Sequence, residues 1–262
     1  MIKLSDSIAK RTQRQKMKGK KALRQILLIK TGSTIPQIRQ KHGDFEDWFV
    51  AGIGVVGVSS VRQVDVFRNQ PLPALTETGA IVITGSAAMV SDREDWSEKT
   101  AEWLQQAVQA GLPVLGVCYG HQLLAHALGG RVGPNPNGRQ IGTVTTKMLD
   151  AARADPLLGH LPSQYSSQTS HSESVLELPS GAERLATSPL DNNFAIRFSE
   201  NAWGVQFHPE FSGPVMSEYI KCRAQAIRAE GLNPDQLLRK VTDTRMAQTV
   251  LKKFAEVAEG KK

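Results

Sequence analysis

A short segment centred on Cys118 combines a nucleophilic side chain with the backbone signals of a sharp turn. Residues 114–117 are apolar and predict a buried strand, and helical composition begins at Tyr119. Gly116 and Gly120 lie two residues before and two residues after the cysteine, where small residues let a strand-to-helix turn close without clashes. The N-terminus of the following helix favours a thiolate. The pattern predicts a nucleophile elbow carrying a cysteine; the alternative is an ordinary buried core cysteine.

A cysteine nucleophile needs a base, and His208 is the histidine whose position best fits that role. It directly follows residues 205–207, which predict a further strand, and open α/β sheets place their functional sites at the carboxyl ends of strands. Glu210 comes two residues later, close enough to accept a hydrogen bond from the imidazole and fix its tautomer. Alone, this turn also fits an ordinary strand end; together with Cys118 it predicts a cysteine–histidine–glutamate triad.

The elements that would position these residues follow from the alternation of apolar and helical segments. Strands are predicted at residues 26–29, 61–67, 80–84 and 114–117, and helices at residues 35–50, 96–110 and 119–128. Such alternation is typical of α/β folds in which helices cover both faces of a parallel sheet. A more antiparallel region is predicted from strands at residues 141–148, 174–178 and 195–198. Residues 205–207 predict a further strand, and residues 215–229 and 234–258 predict helices. The predicted fold is an open, mostly parallel α/β sheet flanked by helices, with a small antiparallel region.

Length and composition narrow the class of protein. With 262 residues, of which 40% are hydrophobic and 22% charged, the chain can bury the core of a single domain. It contains no apolar run long enough for a transmembrane helix and no early apolar segment typical of a secretory signal. Two cysteines, Cys118 and Cys222, do not make a disulfide framework. These features predict a cytoplasmic protein, in which a catalytic thiol stays reduced.

The net charge of +7 is concentrated at the start of the chain. Residues 1–24 contain nine Lys and Arg residues and a single acid, Asp6, so this segment carries +8 and the remaining chain carries −1. We therefore predict a basic, flexible leader at residues 1–24 and a single folded domain at residues 25–262. A basic arm of this kind can contact nucleic acid or an anionic surface, but the charge predicts no such binding by the folded part.

Two segments resemble the class I glutamine amidotransferases. They are Gly-Val-Cys-Tyr-Gly-His-Gln at residues 116–122 and Gly-Val-Gln-Phe-His-Pro-Glu at residues 204–210. The resemblance extends over residues 25–215 and is strongest to the amidotransferase domain of GMP synthase. It implies a flavodoxin-like fold and a triad that hydrolyses the side-chain amide of glutamine through a γ-glutamyl thioester.

The resemblance also implies a role for each residue that matches the family motifs. The implied roles are nucleophile for Cys118, base for His208, third triad member for Glu210, oxyanion donors for the backbone N–H groups of Gly85 and Tyr119, and substrate contacts for Gln122 and His171. One segment departs from the family, whose oxyanion loop usually reads Gly-Gly-Pro where this chain has Gly85, Ser86 and Ala87. We therefore expect a glutamine pocket of different shape.

Three functions remain open on the sequence alone. The first is an amidotransferase-type glutaminase that passes ammonia to a separate synthetase. The second is a free-standing γ-glutamyl hydrolase or peptidase, with water as the acceptor. The third is a catalytically silent binding or regulatory module on the same scaffold, against which the intact triad argues.

Cofactors and additional domains are not predicted. The chain after Glu210 is too short for an ATP-using synthetase domain, and no Walker A phosphate loop is present, so we expect a free-standing unit. Histidines and carboxylates lack the spacing typical of metal ligands. We therefore predict no metal and no organic cofactor, and expect neither a nucleic-acid nor a membrane partner.

Overall fold

The computed structural model describes residues 25–54 and 61–260. The basic segment at residues 1–24, predicted to be a leader, lies outside the described residues. The described strands are β1 (Gln25–Lys30), β2 (Val61–Asp65), β3 (Thr78–Ile83), β4 (Val114–Val117), β5 (Arg131–Pro134), β6 (Gln140–Met148), β7 (Gln164–His171), β8 (Glu173–Glu177), β9 (Glu183–Thr187), β10 (Ala195–Ser199) and β11 (Ala202–Val205). The described α-helices are α1 (Pro36–His42), α2 (Phe45–Ile53), α3 (Asp95–Gln109), α4 (Tyr119–Ala127), α5 (Gly213–Cys222), α6 (Ala224–Ala229), α7 (Pro234–Arg239) and α8 (Arg245–Ala258).

Nine of the described strands form one sheet, in the order β2-β1-β3-β4-β11-β10-β9-β6-β7. Neighbouring strands are parallel from β2 to β11 and antiparallel from β11 to β7. β5 and β8 form a separate two-stranded antiparallel sheet. The predicted fold class is confirmed. Most of the antiparallel strands continue the parallel sheet, whereas β8, which matches the strand predicted at residues 174–178, lies in the separate small sheet. β4 and β11 lie together near its middle, so the turns that follow them share one edge.

Helices cover both faces of the parallel half. Successive residues of β1 point to opposite faces, as in any strand: Leu28 packs in an apolar cluster with Phe254 of α8, while Ile29 packs in a second cluster with Leu104 of α3. A strand buried on both faces reads as a continuous apolar run, which is why β1 was predictable. None of the described helices is both long and apolar enough to cross a bilayer.

The helix predicted at residues 35–50 is two helices in the structure. Gly43 ends α1 with a φ of 81°, a conformation that favours glycine. Asp44 then caps α2, where its side chain accepts a hydrogen bond from the backbone N–H of Phe45 and Asp47 completes a capping box. The Asp44 carboxylate also lies 2.9 Å from the Lys30 ammonium. The spacing of apolar residues continues through this turn, which is why one helix was predicted. Gly43 and Asp44 instead end the first helix and start the second.

Several strand boundaries also differ from the sequence-based prediction. The strand predicted at residues 205–207 is β11, which ends at Val205, and the strand predicted at residues 61–67 is β2, which ends at Asp65. Three strands, β5, β7 and β9, were not predicted. β7 reads Gln-Tyr-Ser-Ser-Gln-Thr-Ser-His, a sequence without alternating apolar residues. Its buried polar side chains are accommodated by hydrogen bonds within the protein, so the strand needs no apolar face.

Candidate active site

The turn from β4 to α4 holds Cys118 in a strained conformation. Its backbone has φ 52° and ψ −103°, a left-handed conformation that costs of order 1–3 kcal/mol in a residue other than glycine. Such strain persists only where the surrounding structure fixes it, and it is concentrated at functional sites. Cys118 is only 5% exposed. The structure therefore places this residue in the elbow that the sequence predicted.

Two glycines make the elbow sterically feasible. A Cβ atom on Gly116 would collide with the carbonyl group of Gly120, and one on Gly120 would lie 2.6 Å from the carbonyl oxygen of Ile83. The first residues of α4 therefore pack directly on the backbone of β4 and β3. This close approach is the physical reason for small residues two positions on either side of Cys118.

His208 and Glu210 form a buried pair at the same edge of the sheet. His208 Nδ1 lies 2.6 Å from Glu210 Oε1, with the two side chains 4% and 0% exposed. The ring of Phe211 stacks on the imidazole with 4.0 Å between ring centroids. The Cys118 side chain lies close enough to act on the imidazole through its charge, and Gly85 adjoins both residues. The three residues thus form one connected series.

The charges of this series favour a protonated imidazole. Burial alone lowers the pKa of His208, but attraction to the charges of Glu210 and Cys118, with hydrogen bonds to both, outweighs burial and raises the pKa to about 10. The histidine is therefore an imidazolium at neutral pH. His208 can therefore act as a proton donor beside the Cys118 side chain.

The last strand of the sheet, β7, folds back over the nucleophile. The Cys118 thiol lies 3.9 Å from the carbonyl oxygen of Ser170. The backbone N–H of His208 donates to the carbonyl oxygen of Gln168 at 2.8 Å. The antiparallel end of the sheet therefore forms one wall of the cleft in which the thiol lies.

The two backbone groups predicted as oxyanion donors lie next to the thiol. A Cβ atom on Gly85 would lie 2.9 Å from His208 Cε1 and 3.7 Å from Cys118 Cβ, so a side chain there would displace the imidazole. Tyr119 is the first residue of α4, and the first N–H groups of a helix have no intrahelical acceptor. Gly85 therefore adjoins both Cys118 and His208, and Tyr119 directly follows the cysteine.

The departure from Gly-Gly-Pro in the loop after β3 is compensated by side-chain hydrogen bonds. Ser86 Oγ donates to the carbonyl oxygen of Thr31 at 2.8 Å and accepts from the backbone N–H of Ala88 at 3.1 Å. Thr31 Oγ1 in turn lies 3.0 Å from the carbonyl oxygen of Gly85 and donates to it. Ser86 therefore fixes this loop through bonds rather than through the rigidity of a proline.

Gln122 lines the cleft beside Cys118. Its Nε2 donates to the carbonyl oxygen of Glu173 at 2.7 Å and to Gln206 Oε1 at 3.0 Å. Because both N–H groups are used within the protein, the atom left for a ligand is the carbonyl oxygen of the side chain. That oxygen is an acceptor and suits a substrate ammonium group.

His171 also lines the cleft and is neutral. Its Nδ1 lies 2.9 Å from the carbonyl oxygen of Glu173, so this nitrogen carries the proton. Burial lowers the pKa of His171 to about 4, and the positive charge of His208 acts in the same direction. A neutral imidazole can orient a substrate without competing with His208 for a proton.

Three charged residues of the cleft were not predicted: Glu173, Arg139 and Arg223. The Glu173 carboxylate accepts hydrogen bonds from the backbone N–H of Val90, at 3.0 Å, and from the Ser91 hydroxyl. It thereby ties the segment after the oxyanion loop to the wall that carries His171. No local sequence pattern marks the two arginines as residues of the cleft, because only the tertiary packing of the chain brings them there.

Other candidate groups lie away from the thiol. His121 is fully buried under the sheet, with Nε2 3.0 Å from the carbonyl oxygen of Asn193. Burial lowers its pKa to about 3, so it is a neutral core residue. Cys222 is exposed. Across residues 25–54 and 61–260, no group of three or more His, Cys, Asp or Glu side chains could hold a metal ion.

Comparison with known proteins identifies a family for this fold and site. The family model described as glutamine amidotransferase class-I matches residues 41–223. One subunit of a GMP synthase [glutamine-hydrolyzing] from Natronomonas pharaonis is 35% identical over 180 residues, covering 68% of this chain and 89% of that protein. Gamma-glutamyl peptidase 5 from Arabidopsis thaliana is 30% identical over 202 residues, covering 74% of this chain and 78% of that protein.

Longer relatives match over part of their length. A GMP synthase [glutamine-hydrolyzing] from Aeropyrum pernix is 37% identical over 137 residues, which is 52% of this chain but 25% of that protein. Among solved structures, a glutamine amidotransferase from Methylobacillus flagellatus has a TM-score of 0.71 and 22% identity, covering 91% of this chain and 94% of that one. A glutamine amidotransferase from Thermotoga maritima has a TM-score of 0.70 and 21% identity, with 90% and 98% covered. At these identities the solved structures establish the shared fold.

Proposed function

This chain belongs to the class I glutamine amidotransferase family, and we propose that it hydrolyses the side-chain amide of glutamine, or of a related γ-glutamyl compound, through a thioester on Cys118. One observation carries the proposal. His208 and Glu210 form a buried hydrogen-bonded pair at the carboxyl edge of the sheet, and Cys118, in strained backbone, lies beside the same imidazole. That arrangement supplies a nucleophile, a proton donor and an orienting carboxylate.

The first half-reaction transfers the γ-glutamyl group to the protein. The Cys118 thiolate attacks the γ-carbonyl carbon, a C–S bond forms, and negative charge moves to the carbonyl oxygen. The backbone N–H groups of Gly85 and Tyr119 stabilise that oxygen; one such donor is worth roughly 3–4 kcal/mol in comparable sites. When the C–N bond breaks, the His208 imidazolium gives its proton to the departing nitrogen. The products are the thioester and ammonia, or an amine.

The second half-reaction releases glutamate. His208, now neutral, accepts a proton from water while the water oxygen attacks the thioester carbonyl. The C–S bond breaks, so that the thiolate and the imidazolium are restored together. Glu210 keeps the imidazole oriented throughout and stabilises its charged form. No step requires a metal or an organic cofactor.

Two acyl donors are compatible with this chemistry. The relationship to one subunit of a GMP synthase favours glutamine, with ammonia passed to a separate synthetase. The relationship to a gamma-glutamyl peptidase over most of both chains favours a γ-glutamyl conjugate, with water as the acceptor and no partner. The second candidate shares every catalytic residue with the first and differs in the leaving group.

Product release by the purified chain tests the proposal. We expect the wild-type protein to release ammonia from glutamine or glutamate from γ-glutamyl dipeptides, and the Cys118→Ala variant to release neither. Rapid release from glutamine or a dipeptide without a partner indicates a free-standing hydrolase. Weak release from glutamine that rises on addition of a synthetase indicates the glutaminase component of a two-protein amidotransferase. If no ammonia or glutamate is released from any donor, with or without an added synthetase, the chain is a non-catalytic module and the proposal is overturned.

A further inference from the structure

Two arginines reach the catalytic cleft from parts of the chain that carry none of the triad. Arg139 lies immediately before β6, and Arg223 lies between α5 and α6. Both line the same cleft as Cys118 and Gln122. Neither is required by the acyl-transfer steps described above, so their presence in the cleft calls for a separate explanation.

An ion pair with Glu230 holds the Arg139 side chain in place and uses two of the three nitrogen atoms of its guanidinium group. Its Nε lies 2.7 Å from Glu230 Oε2, and its Nη2 lies 2.9 Å from Glu230 Oε1. Such a two-point pair fixes the plane of the guanidinium. The Arg139 side chain is only 14% exposed. The second terminal nitrogen, Nη1, remains to bind another acceptor.

Arg223 has an unused buried donor. Its Nε is buried and has no hydrogen-bond partner among the described residues. Hydrogen bonding to Arg139 lowers the pKa of Glu230, and the nearby charge of Arg223 acts in the same direction. Arg223 therefore lies near enough to the Arg139–Glu230 pair to act on Glu230 through its charge, and it makes no ion pair with Glu230 among the described residues. The carboxylate of Glu173, which also lines the cleft, is occupied by Val90 and Ser91.

The cleft continues past Arg139 into a second cavity. Arg139 and Ser172 line both spaces, and the second is further bounded by Asn137, Leu190 and Leu232. Ammonia, the leaving group of glutamine, needs no such space. Arg139 therefore lies where the cleft of the nucleophile meets room for a larger donor, and Arg223 lines the cleft side of that junction.

We propose that Arg139 and Arg223 bind a carboxylate of the acyl donor and thereby contribute to the choice of γ-glutamyl compound at this site. An arginine presents parallel N–H donors that match the two oxygens of a carboxylate. The carboxylate is either the α-carboxylate of the γ-glutamyl group or one on the leaving group. The inference rests on the proposed function for the identity of the donor.

Steady-state kinetics with three donors tests the proposal. The donors are glutamine, γ-glutamylglycine, whose leaving group carries a carboxylate, and γ-glutamylmethylamide, whose leaving group does not. We expect Arg223→Gln and Arg139→Gln each to raise KM by about tenfold or more, equivalent to about 1.4 kcal/mol, with kcat little changed. Arg223→Lys should recover part of the loss, because it restores the charge without the fork. Arg228→Gln, an exposed change within α6, is the matched control and should leave KM unchanged.

The pattern across donors identifies the carboxylate. An equal rise in KM for all three donors assigns the arginines to the glutamyl α-carboxylate. A rise confined to γ-glutamylglycine assigns them to the leaving group. Unchanged KM values, or a fall in kcat alone, would overturn the proposal.

A binding measurement separates this inference from the proposed function. In the Cys118→Ala background, which prevents turnover, γ-glutamylglycine carries both candidate carboxylates and should raise the melting temperature. It should do so equally when Arg228→Gln is added, and less when Arg223→Gln is added. If no donor is hydrolysed but this difference persists, the hydrolase proposal fails while the carboxylate site stands. If the melting-temperature shifts are equal in all variants, the carboxylate site is wrong even when hydrolysis is observed.

Discussion

Nδ1 of His208 and Oε1 of Glu210 are 2.6 Å apart in an environment that bulk water does not reach. The second carboxylate oxygen of Glu210, Oε2, is buried without a hydrogen-bond partner among the described residues. The carboxylate therefore acts chiefly on one imidazole, and its removal should have effects that can be assigned to that histidine.

The first prediction is an order of activity loss at these two positions. His208→Asn should lose nearly all activity, because the variant lacks the group that protonates the leaving nitrogen. Glu210→Gln should keep measurable activity, because a cysteine nucleophile depends less on the third member of a triad than a serine does. Single-turnover acylation at saturating donor measures both. An equal loss in the two variants would refute a purely orienting role for Glu210, and no loss in Glu210→Gln would remove it from the site.

The second prediction concerns pH. The pKa of His208 is raised to about 10 by Glu210 and Cys118 despite burial, so the imidazolium persists at neutral pH and is lost only as the pH approaches that value. The alkaline limb of kcat/KM should therefore lie near pH 10 in the wild type. Glu210→Gln removes one negative charge, lowers the pKa of His208 and should move this limb to lower pH. A limb at the same pH in both proteins would show that Glu210 does not set the protonation of His208.

The third prediction separates the two cysteines. Cys118→Ala should abolish hydrolysis with little change in melting temperature, because removal of one sulfur atom leaves a small cavity. Cys222→Ala is the control, since Cys222 is exposed at the end of α5. It should keep full activity. Inactivation by Cys222→Ala, with Cys118→Ala still active, would show that the site has been placed at the wrong thiol.

The fourth prediction concerns the glycine that supports the elbow. Gly120→Ala places a Cβ atom 2.6 Å from the carbonyl oxygen of Ile83, so α4 must shift and carry the N–H of Tyr119 with it. We expect a lower melting temperature and a marked fall in kcat. Gly213→Ala is the matched control, because its nearest neighbour would be 3.5 Å away, at Asp243. Full activity in Gly120→Ala would mean that the close packing of this turn is dispensable.

The arrangement of Cys118, His208 and Glu210 was predictable because each part is encoded in a few consecutive residues. Cys118 lies between a strand and a helix, and His208 and Glu210 share one turn, so local composition fixes their backbone setting. The proton on His208 was less evident: the sequence predicts a base, whereas the buried charges around the imidazole make it an acid at rest. Arg139 and Arg223 were missed because only tertiary packing brings their segments to the cleft.

Strands that are apolar and buried on both faces were predictable from the sequence. Strands made mostly of polar residues were not. β1 and β4 are continuous apolar runs and were placed to within a residue at each end. β7 is rich in serine and glutamine, and its partners are buried polar groups such as Thr146, which lies 2.7 Å from Ser167 in a hydrogen bond between side chains. Hydrophobic periodicity carries no information about such a strand.

The wall that β7 forms over Cys118 has a consequence for the nascent chain. During synthesis Cys118 emerges well before Ser170 and His208, which flank it in the folded protein. Until those later segments dock, the cysteine is an ordinary thiol without an imidazolium beside it. Under the proposed function, the reactivity of Cys118 therefore arises only on completion of the sheet, so an incomplete chain carries no activated nucleophile while it is still on the ribosome.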